Sequence, residues 1–430
     1  MNEKLLDFIH RSPSAFHAVE NVARELLAAG YCELFESEGF SLEPGGRYFV
    51  RRNGSSLIAF RLPSETDFPG FMLMAAHSDS PCFKLKASPT VTAGPYAQLR
   101  VEKYGGMLCA GWLDRPLSVA GRVIVREGGR LCPKLLNVDK DLLLIPSVAI
   151  HMDRSANEGK NYNANVDLLP LLGSAGTAEG FAGLIARWAG VEKEQIAGSD
   201  LFLYPRGRGF LWGGEEEYIS SPRLDDLQCV FGCLQGLLQA GESRSAQVLC
   251  VFDNEEVGSA SRQGADSGFL EDVLLRLCGA LGLNGFGYRQ KLANSFMVSA
   301  DNAHAVHPNH PEYADSSERP ELNRGPVIKH NAEQRYTTDG FTAALFAEIC
   351  HRAGVPVQHY SNRADLRGGS TLGNVSSAHV SVPCVDVGIP QLAMHAAWES
   401  AGAKDTEYFV KAAKTFYESS FRMCENAAEI

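Results

Sequence analysis

The chain contains Gly70-Phe-Met-Leu-Met-Ala-Ala76, an apolar run that leads directly into His77-Ser-Asp-Ser-Pro81. Because the run has the length of a strand and is apolar at every position after Gly70, it predicts a strand that is buried on both faces of a sheet. A second run of this kind, Val248-Leu-Cys-Val-Phe252, leads into Asp253-Asn-Glu-Glu256. The two stretches predict an α/β core with polar groups at the carboxyl ends of its strands.

Helical and strand-like segments alternate on both sides of this core. An amphipathic helix is expected over residues 14–30, with Ser14 as its N-cap and Gly30 as its stop. Beyond Pro222 the pattern predicts helices over 224–239, 267–281 and 339–353 and from Thr406, and strands over 247–252, 295–299, 355–360 and 383–387. We therefore predict an α/β fold in which helices flank a twisted, mixed sheet.

The alternation of predicted helices and strands is interrupted between residues 90 and 220. Short β-like runs flank Gly128-Gly129, a pair typical of a hairpin turn, and one helix is expected near 178–188. The economical interpretation is a discontinuous α/β domain made of residues 1–89 and 221–430, with a β-rich domain of residues 90–220 inserted into it.

Composition excludes several classes of protein. The 430 residues carry a formal net charge of −11, which disfavours nucleic acid or an anionic membrane as the main partner. No run of eighteen apolar residues is present, and charged residues interrupt the first segment where a signal peptide needs an apolar stretch. The eleven cysteines include no Cys-x-x-Cys pair, which fits reduced thiols. We expect a cytoplasmic protein that does not bind a membrane.

His77 and Asp79 form the first candidate for chemistry. In an extended chain they point to the same side, so the Asp79 carboxylate can accept a ring N–H of His77 and fix its tautomer. This arrangement is typical of a metal ligand and its supporting acid. A histidine at a strand end is also often a hydrogen-bonded polar residue without further function, so this pair alone leaves both interpretations open.

Further acids and a histidine recur beside the ends of other predicted core elements. The recurring set, with His77 included, consists of His77, Asp225, Glu256, Asp301 and His395. Carboxylate oxygen and imidazole nitrogen are ligands that suit Zn²⁺, so the recurrence favours a metal centre over isolated helix caps and solvated turns.

The charge of such a centre indicates what it would do. Two dications carry +4 and Asp225, Glu256 and Asp301 carry −3, so the cluster keeps about +1 and favours hydroxide. Two dications roughly 3.5–4 Å apart activate a water and polarise a carbonyl, as in two-metal hydrolases. Glu255 is then free of metal and can move the proton from the water to a leaving amine.

Five motifs together resemble the aspartyl aminopeptidase family of zinc metallopeptidases. They are His77-Ser-Asp-Ser-Pro81, Ser221-Pro-Arg-Leu-Asp-Asp226, Asp253-Asn-Glu-Glu-Val-Gly-Ser259, Ser299-Ala-Asp-Asn-Ala-His-Ala-Val-His-Pro308 and Gln391-Leu-Ala-Met-His395. The resemblance implies two Zn²⁺ per chain, for which Co²⁺ or Mn²⁺ can substitute. It implies one ion on His77, Asp225 and Asp301 and the other on Asp225, Glu256 and His395, with Asp225 bridging, Glu255 as general base and Asp79 supporting the histidine.

The same resemblance implies properties outside the metal centre. The family removes N-terminal Asp or Glu from peptides, and Lys329 and His304 match positions expected to face the acidic side chain. The insertion is implied to be a dimerisation domain within a tetrahedral dodecamer, with His151 of Ile145-Pro-Ser-Val-Ala-Ile-His151 reaching a neighbouring subunit's active site. Residues 363–373 match a segment that lines the family's pocket, but Leu366-Arg-Gly368 stands where the family more usually has Pro-Cys-Gly.

Three other functions compete with this interpretation. Gly368-Gly-Ser-Thr-Leu372 approaches the nucleophile elbow of serine hydrolases, but Leu372 stands where that motif requires glycine. A related two-metal aminopeptidase of neutral specificity would use the same ligands. A non-catalytic assembly protein of the same fold is favoured only if a ligand or Glu255 is lost, and all are present.

Overall fold

A computed structural model gives the fold of residues 1–366, 368–424 and 427–429. In these ranges the α-helices are α1 Asn2–His10, α2 Ala15–Ala28, α3 Thr177–Ala189, α4 Leu224–Gln239, α5 Phe269–Ala280, α6 Gly285–Ala293, α7 Gly340–Ala353, α8 Leu372–Ser376 and α9 Asp405–Glu418. The first twelve strands are β1 Cys32–Leu34, β2 Arg47–Arg52, β3 Ser56–Arg61, β4 Phe71–His77, β5 Cys82–Ala93, β6 Tyr96–Tyr104, β7 Leu117–Glu127, β8 Arg130–Asn137, β9 Leu171–Ser174, β10 Ile196–Pro205, β11 Phe210–Trp212 and β12 Tyr218–Ser221. The later strands are β13 Ala246–Phe252, β14 Phe296–Ala300, β15 Ala303–His304, β16 Val327–His330, β17 Gln358–Ser361, β18 Cys384–Gly388, β19 Pro390–Leu392, β20 Glu399–Gly402, β21 Arg422–Cys424 and β22 Ala427–Glu429.

The largest sheet has nine strands in the order β1-β2-β3-β13-β4-β14-β18-β16-β17. Its centre, β13-β4-β14-β18, is parallel, whereas β3 joins β13 and β16 joins β18 in antiparallel fashion. The sheet is therefore mixed, as predicted. Because the central strands run the same way, their carboxyl ends meet at one edge.

Helices cover both faces of this sheet. Along β4, Met72, Met74 and Ala76 pack in the core under α1, α2, α4, α7 and α9, whereas Phe71 and Leu73 pack in the core under α5, α6 and α8. All seven residues of β4 are buried. The continuous apolar run thus needs no polar face, because each face of the strand has its own hydrophobic core.

A second sheet has six strands in the order β8-β7-β10-β5-β6-β9, and all its pairings are antiparallel. Its strands come from residues 82–205, so its first strand already begins before residue 90, and α3 packs on it in a separate hydrophobic core. A five-stranded sheet, β11-β12-β20-β19-β15, lies beside the carboxyl edge of the large sheet. It carries several backbone segments of the candidate site.

Most predicted elements are present within a few residues of their expected bounds, and the hairpin turn at Gly128-Gly129 joins β7 to β8. The pattern missed α1 and α6. In α1, Glu3, Lys4 and Asp7 interrupt a short apolar run of sequence. Helix α6 contains two glycines, and its N-cap is Asn284, whose side chain accepts hydrogen bonds from the amides of Phe286 and Gly287. Asn284 is a capping signal that could have revealed this helix.

Two further observations bear on the sequence-based expectations. Cys32, Cys82, Cys109, Cys132, Cys229, Cys233, Cys250, Cys278, Cys350 and Cys384 are free thiols, which agrees with the expected reduced cysteines. Within the part of the chain that the structure describes, none of the helices has both the length and the apolar character needed to cross a membrane.

Candidate metal centre

The candidate ligands meet at the carboxyl edge of the large sheet. His77 is the last residue of β4, Asp301 follows β14, and Glu256 lies in a 3₁₀ turn just after β13. Asp225 lies at the start of α4, where regular helical angles begin only after Asp226. His395 lies in the turn after β19. Residues far apart in the chain are therefore brought together by neighbouring parallel strands.

Asp225 lies between the two histidines. Its Oδ1 is 3.5 Å from Nε2 of His77, and its Oδ2 is 3.4 Å from Nε2 of His395. Glu256 Oε2 is also 3.4 Å from His395 Nε2. A carboxylate that presents one oxygen to each of two imidazoles has the arrangement that a bridging ligand needs.

Three overlapping groups of potential ligand atoms result. One consists of His77, Asp225, Asp226 and Asp301, and we call it the His77 half-site; another consists of Asp225, Glu256 and His395, and we call it the His395 half-site. The third consists of His77, Glu255 and Glu256. In each group the ligand atoms lie within 4.8 Å of one another. Asp226, which was not predicted, also accepts the backbone amide of His77 at 3.0 Å.

The donor atoms fit zinc. Oδ1 of Asp225, Oδ1 of Asp226 and Oε1 of Glu256 are buried and lack a hydrogen-bond partner among the residues described. Buried polar atoms are rarely left unpaired, and adjacent buried carboxylates repel one another unless cations lie between them. Imidazole and carboxylate are the ligand types that zinc accepts. The cluster therefore has both the chemistry and the excess negative charge of a dication site.

The pKa values of these groups reflect the same crowding. Burial raises the pKa of Glu256 and of Asp226 well above the ordinary carboxyl value, and neighbouring carboxylates add to this effect. Burial lowers the pKa of His77, but Asp226, Asp225 and Asp301 outweigh it and hold the pKa well above its ordinary value. Each protonation state thus depends on the other charges, as expected for groups built around cations.

Glu255 and Glu256 are adjacent but face different surroundings. The Glu256 side chain is 3% exposed and lies against His395, whereas the Glu255 side chain is 17% exposed and lines the cavity beside the cluster. Glu255 Oε2 is 4.0 Å from Nε2 of His77. Burial raises the pKa of Glu255 to about 8. Of the two, Glu255 is the one placed to meet a molecule in the cavity.

Asp79 organises the loop that carries both glutamates. Its Oδ1 accepts a hydrogen bond from the backbone amide of Glu255, and its Oδ2 accepts one from the amide of Glu256, each at 3.2 Å. The nearest acceptor to His77 Nδ1 is the backbone oxygen of Asp79 at 3.0 Å, with Oδ1 at 3.4 Å. Asp79 thus lies beside the ring nitrogen, but its backbone oxygen rather than the expected carboxylate is the nearer acceptor, and the carboxylate fixes the positions of Glu255 and Glu256.

Tyr104 and Gly105, which the sequence did not reveal, connect the six-stranded sheet to this loop. Tyr104 Oη donates to Asp79 Oδ2 at 2.7 Å and accepts from Asn254 Nδ2 at 2.8 Å. Gly105 has φ +76°, and a Cβ atom there would lie 3.1 Å from Cβ of Glu256. A residue with a side chain at this position would press on Glu256. The turn after β6 therefore needs glycine where it passes this candidate ligand.

Glu399, on β20, is a second residue that sequence reasoning missed. It is 1% exposed, and its two oxygens accept the amide of His395 at 2.7 Å and the amide of Asp225 at 3.0 Å. His395 has φ +64°, a conformation that costs a non-glycine residue roughly 1 kcal/mol or more. Glu399 therefore holds the backbone of two ligands in place. Its position four residues after His395 is the signal that could have found it.

The cavity beside the cluster has a volume of about 220 Å³. Lys329 and His304 both line it, as do Tyr336 and Tyr360. Lys329 is 3% exposed, and its Nζ is 3.3 Å from Asp301 Oδ2. Burial lowers the pKa of Lys329, but Asp301 and other charges outweigh it and raise the pKa, so the ammonium stays charged.

The remaining predicted positions are placed as follows. Gly369, Ser370 and Thr371 of the 363–373 segment line the cavity, and Arg367 lies outside the described residues. His151 is exposed in the segment between β8 and β9 and is not among the described residues that line this cavity. The structure therefore brings together all predicted site residues except His151.

Comparison with known proteins agrees with this geometry. Residues 8–417 match the family model described as aminopeptidase I zinc metalloprotease (M18). A probable M18 family aminopeptidase 2 of Clostridium acetobutylicum is 44% identical over 423 residues, covering 96% of this chain and 98% of the relative. That of Pseudomonas paraeruginosa is 42% identical and covers 98% of each.

Solved structures give the same result. The Ape4 and Nbr1 complex, determined by cryo-EM, matches with a TM-score of 0.94 and 37% identity, over 97% of this chain and 85% of that one. The mApe1 dodecamer of S. cerevisiae matches with a TM-score of 0.85 and 28% identity, over 96% of this chain and 95% of that one. The chain belongs to the M18 aminopeptidase family of zinc metalloproteases.

Proposed function

We propose that this aminopeptidase removes N-terminal Asp and Glu from peptides, with Glu255 as its general base. The observation that carries the acidic specificity is the buried ammonium of Lys329 in the wall of the cavity that Glu255 also lines. A buried cation attracts a substrate carboxylate strongly because little water screens it.

We propose two zinc ions per chain, which Co²⁺ or Mn²⁺ can replace. His77, Asp225 and Asp301 would hold one ion, and Asp225, Glu256 and His395 the other. Support comes from the His77 and His395 half-sites and from Asp225, which presents one oxygen to each histidine. When bound, two such ions polarise the scissile carbonyl and make the attacking water more acidic.

Proton transfer is assigned to Glu255. Its carboxylate lines the cavity, so it can take the proton from the attacking water and then give it to the leaving amine. The carboxylate of Asp79 keeps the Glu255 amide fixed, and Tyr104 keeps Asp79 fixed. Burial of the Glu255 side chain strengthens its interaction with the charges that develop during the reaction.

Substrate selection is assigned to Lys329, with His304 beside it. Asp301 Oδ2 holds the ammonium at 3.3 Å, which fixes where a substrate carboxylate would meet it. Tyr336 and Tyr360 line the same cavity and limit its width. An amide or aliphatic side chain placed there would leave the ammonium without a new ionic partner.

The test compares p-nitroanilides of Asp, Glu, Asn and Leu with the wild-type enzyme and with Lys329→Met. We expect wild type to prefer the acidic substrates and the variant to lose at least about 30-fold of that preference, corresponding to about 2 kcal/mol for a lost buried charge pair. Lys291→Met is the control, because Lys291 is also buried but pairs with Asp67 outside the cavity.

Three results would change the proposal. A wild-type preference for Leu would make the chain a two-metal aminopeptidase of neutral specificity, and an unchanged ratio in Lys329→Met would remove Lys329 from substrate selection. No hydrolysis of any substrate by the zinc-loaded chain would favour a non-catalytic assembly protein instead.

Self-association is proposed through residues 90–220 as a dimerisation domain within a tetrahedral dodecamer. The S. cerevisiae mApe1 dodecamer supports a large assembly. In this chain Val148, Ile150 and Met152, which are close to His151 in sequence, are 48%, 47% and 82% exposed, and Val166 in the same segment between β8 and β9 is 70% exposed. An exposed apolar group of this kind is typical of an interface, and it supports His151 as a residue given to a neighbouring subunit. The cytoplasmic location stays a prediction.

A further inference from the structure

A second, smaller cavity lies behind the metal centre and is separate from the one that Glu255 lines. Its volume is about 60 Å³. Its walls come from the first turn of α2, from β10, from the 3₁₀ turn that ends at Trp112, and from Arg223 just before α4. It therefore lies where the two large sheets of the molecule meet.

Unpartnered hydrogen-bond donors line this cavity. Trp112 is 2% exposed and its Nε1 has no partner among the described residues. The same holds for the buried Nε and Nη1 of Arg223. The guanidinium makes one hydrogen bond, from Nη2 to the backbone oxygen of Ile9 at 3.2 Å, and within the described residues it forms no ion pair. A buried guanidinium without an anionic partner is costly.

The first turn of α2 adds to the same donor set. Ser14 occupies the N-cap position, but its side chain makes no capping bond, because its hydroxyl is 2.8 Å from Nδ1 of His17. The first amide that bonds within the helix is that of Ala18. The free amides before it carry the positive end of the helix dipole, and Ser14, Ala15 and Phe16 line the cavity.

The acidic side chains that line the cavity already accept hydrogen bonds, whereas three donor atoms of its lining residues have no partner among the described residues. Burial and Arg223 lower the pKa of His17 to about 4, so His17 stays neutral and offers no counter-charge. Asp79 and Asp253 also line the cavity, but Asp79 is engaged by Tyr104 and by the amides of Glu255 and Glu256, and Asp253 Oδ1 accepts the amide of Asn254. The unpartnered groups are all donors and include one full positive charge.

We propose that this cavity binds a small monovalent anion, of the size of a halide or formate, held by the guanidinium of Arg223, the indole N–H of Trp112 and the first turn of α2. The small volume suits a small ion rather than a nucleotide. Because Trp112 comes from the chain between the strands of the six-stranded sheet and Arg223 precedes α4, the anion would link the two sheets. It would thereby stabilise the folded enzyme independently of peptidase activity.

The direct test uses the zinc-loaded, full-length protein. Thermal unfolding is measured at equal ionic strength in sodium bromide, sodium chloride, sodium formate and sodium gluconate, the last being too large for the cavity. We expect the melting temperature to rise with bromide, chloride or formate and not with gluconate, and the halide and formate arms identify which anion class fits. Anomalous diffraction at the bromine edge should locate bromide within hydrogen-bond distance of Arg223 and Trp112.

Matched variants separate the site from general salt effects. Trp112→Phe removes one N–H and keeps an aromatic ring, so the anion-specific rise in melting temperature should shrink, with affinity falling about tenfold for a lost hydrogen bond to a charged group. Trp188→Phe is the control, since Trp188 packs on the same hydrophobic core away from the cavity. Equal melting temperatures in all four salts, no bromide at this position, or the same loss in both variants would overturn the proposal.

Discussion

The two half-sites of the metal centre are built in different ways. In the His77 half-site, His77 ends a fully buried strand and is 1% exposed at its side chain. In the His395 half-site, the histidine lies in a turn, is 33% exposed and has φ +64°. One half-site is thus positioned by the sheet itself and the other by hydrogen bonds that the backbone amides of its ligands donate to Glu399. The difference predicts that the His395 half-site is the more easily disturbed.

The largest expected effect is that of removing the metal. Dialysis against dipicolinate should abolish peptidase activity, and added Zn²⁺, Co²⁺ or Mn²⁺ should restore it. The zinc content should be measured during the dialysis. We expect the first ion lost to be the one bound in the His395 half-site. Isophthalate, which lacks the chelating ring nitrogen, is the control. Full activity in protein shown to be free of metal would contradict the two-metal proposal.

The next effect distinguishes the two adjacent glutamates. Glu255→Gln should lower kcat by at least about 10², the scale of a lost general base, while the zinc content stays unchanged. Glu256→Gln should instead lower the zinc content, because Glu256 lies against His395. Elemental analysis and steady-state kinetics measure both quantities. If Glu255→Gln lost zinc and Glu256→Gln kept it, the two roles would have to be exchanged.

A smaller effect should sharpen the contrast between the half-sites. The two carboxylate oxygens of Glu399 accept hydrogen bonds from the amides of Asp225 and His395. Glu399→Gln replaces one of these oxygens by an NH₂ group, which cannot accept such a bond. Affinity for the more weakly bound zinc should fall about tenfold, as is usual when a group that orients a ligand is lost. Competition with a chelator of known affinity measures this. Glu418→Gln is the control, since Glu418 accepts the amide of Gly241 far from the centre; an equal fall in both variants would refute the assignment.

The smallest expected effect concerns the contact from the second sheet. Tyr104→Phe removes a hydrogen bond to Asp79, and we expect kcat/KM to fall about fivefold, which corresponds to about 1 kcal/mol. The pH profile of kcat should shift as well, because Asp79 then holds the Glu255 loop less firmly. Tyr48→Phe serves for comparison, because the hydroxyl of Tyr48 accepts a hydrogen bond from the amide of Glu43. An unchanged profile would leave Tyr104 a purely structural contact.

The sequence predicted what depends on local pattern. The bounds of α4 and the two-faced burial of β4 followed from periodicity, and the candidate ligands followed from their places beside the ends of core elements. Tyr104 and Glu399 were not predicted, because each acts across a contact between segments that no local pattern connects. Ser14 is N-terminal to α2 as expected, yet its hydroxyl forms a hydrogen bond with His17, whose ring lies within reach three residues later in the same helix.

Gly105 and Tyr104 have a consequence for any shortened form of the enzyme. Tyr104 belongs to β6, which among the described strands pairs only with β5 and β9. A truncated protein that lacked the six-stranded sheet would retain all five proposed zinc ligands and the general base. It would lack the Tyr104 phenol, which donates a hydrogen bond to Asp79, and Gly105, whose lack of a side chain leaves room for Glu256. Minimised versions of this peptidase would therefore need a substitute for that strand to preserve an ordered active centre.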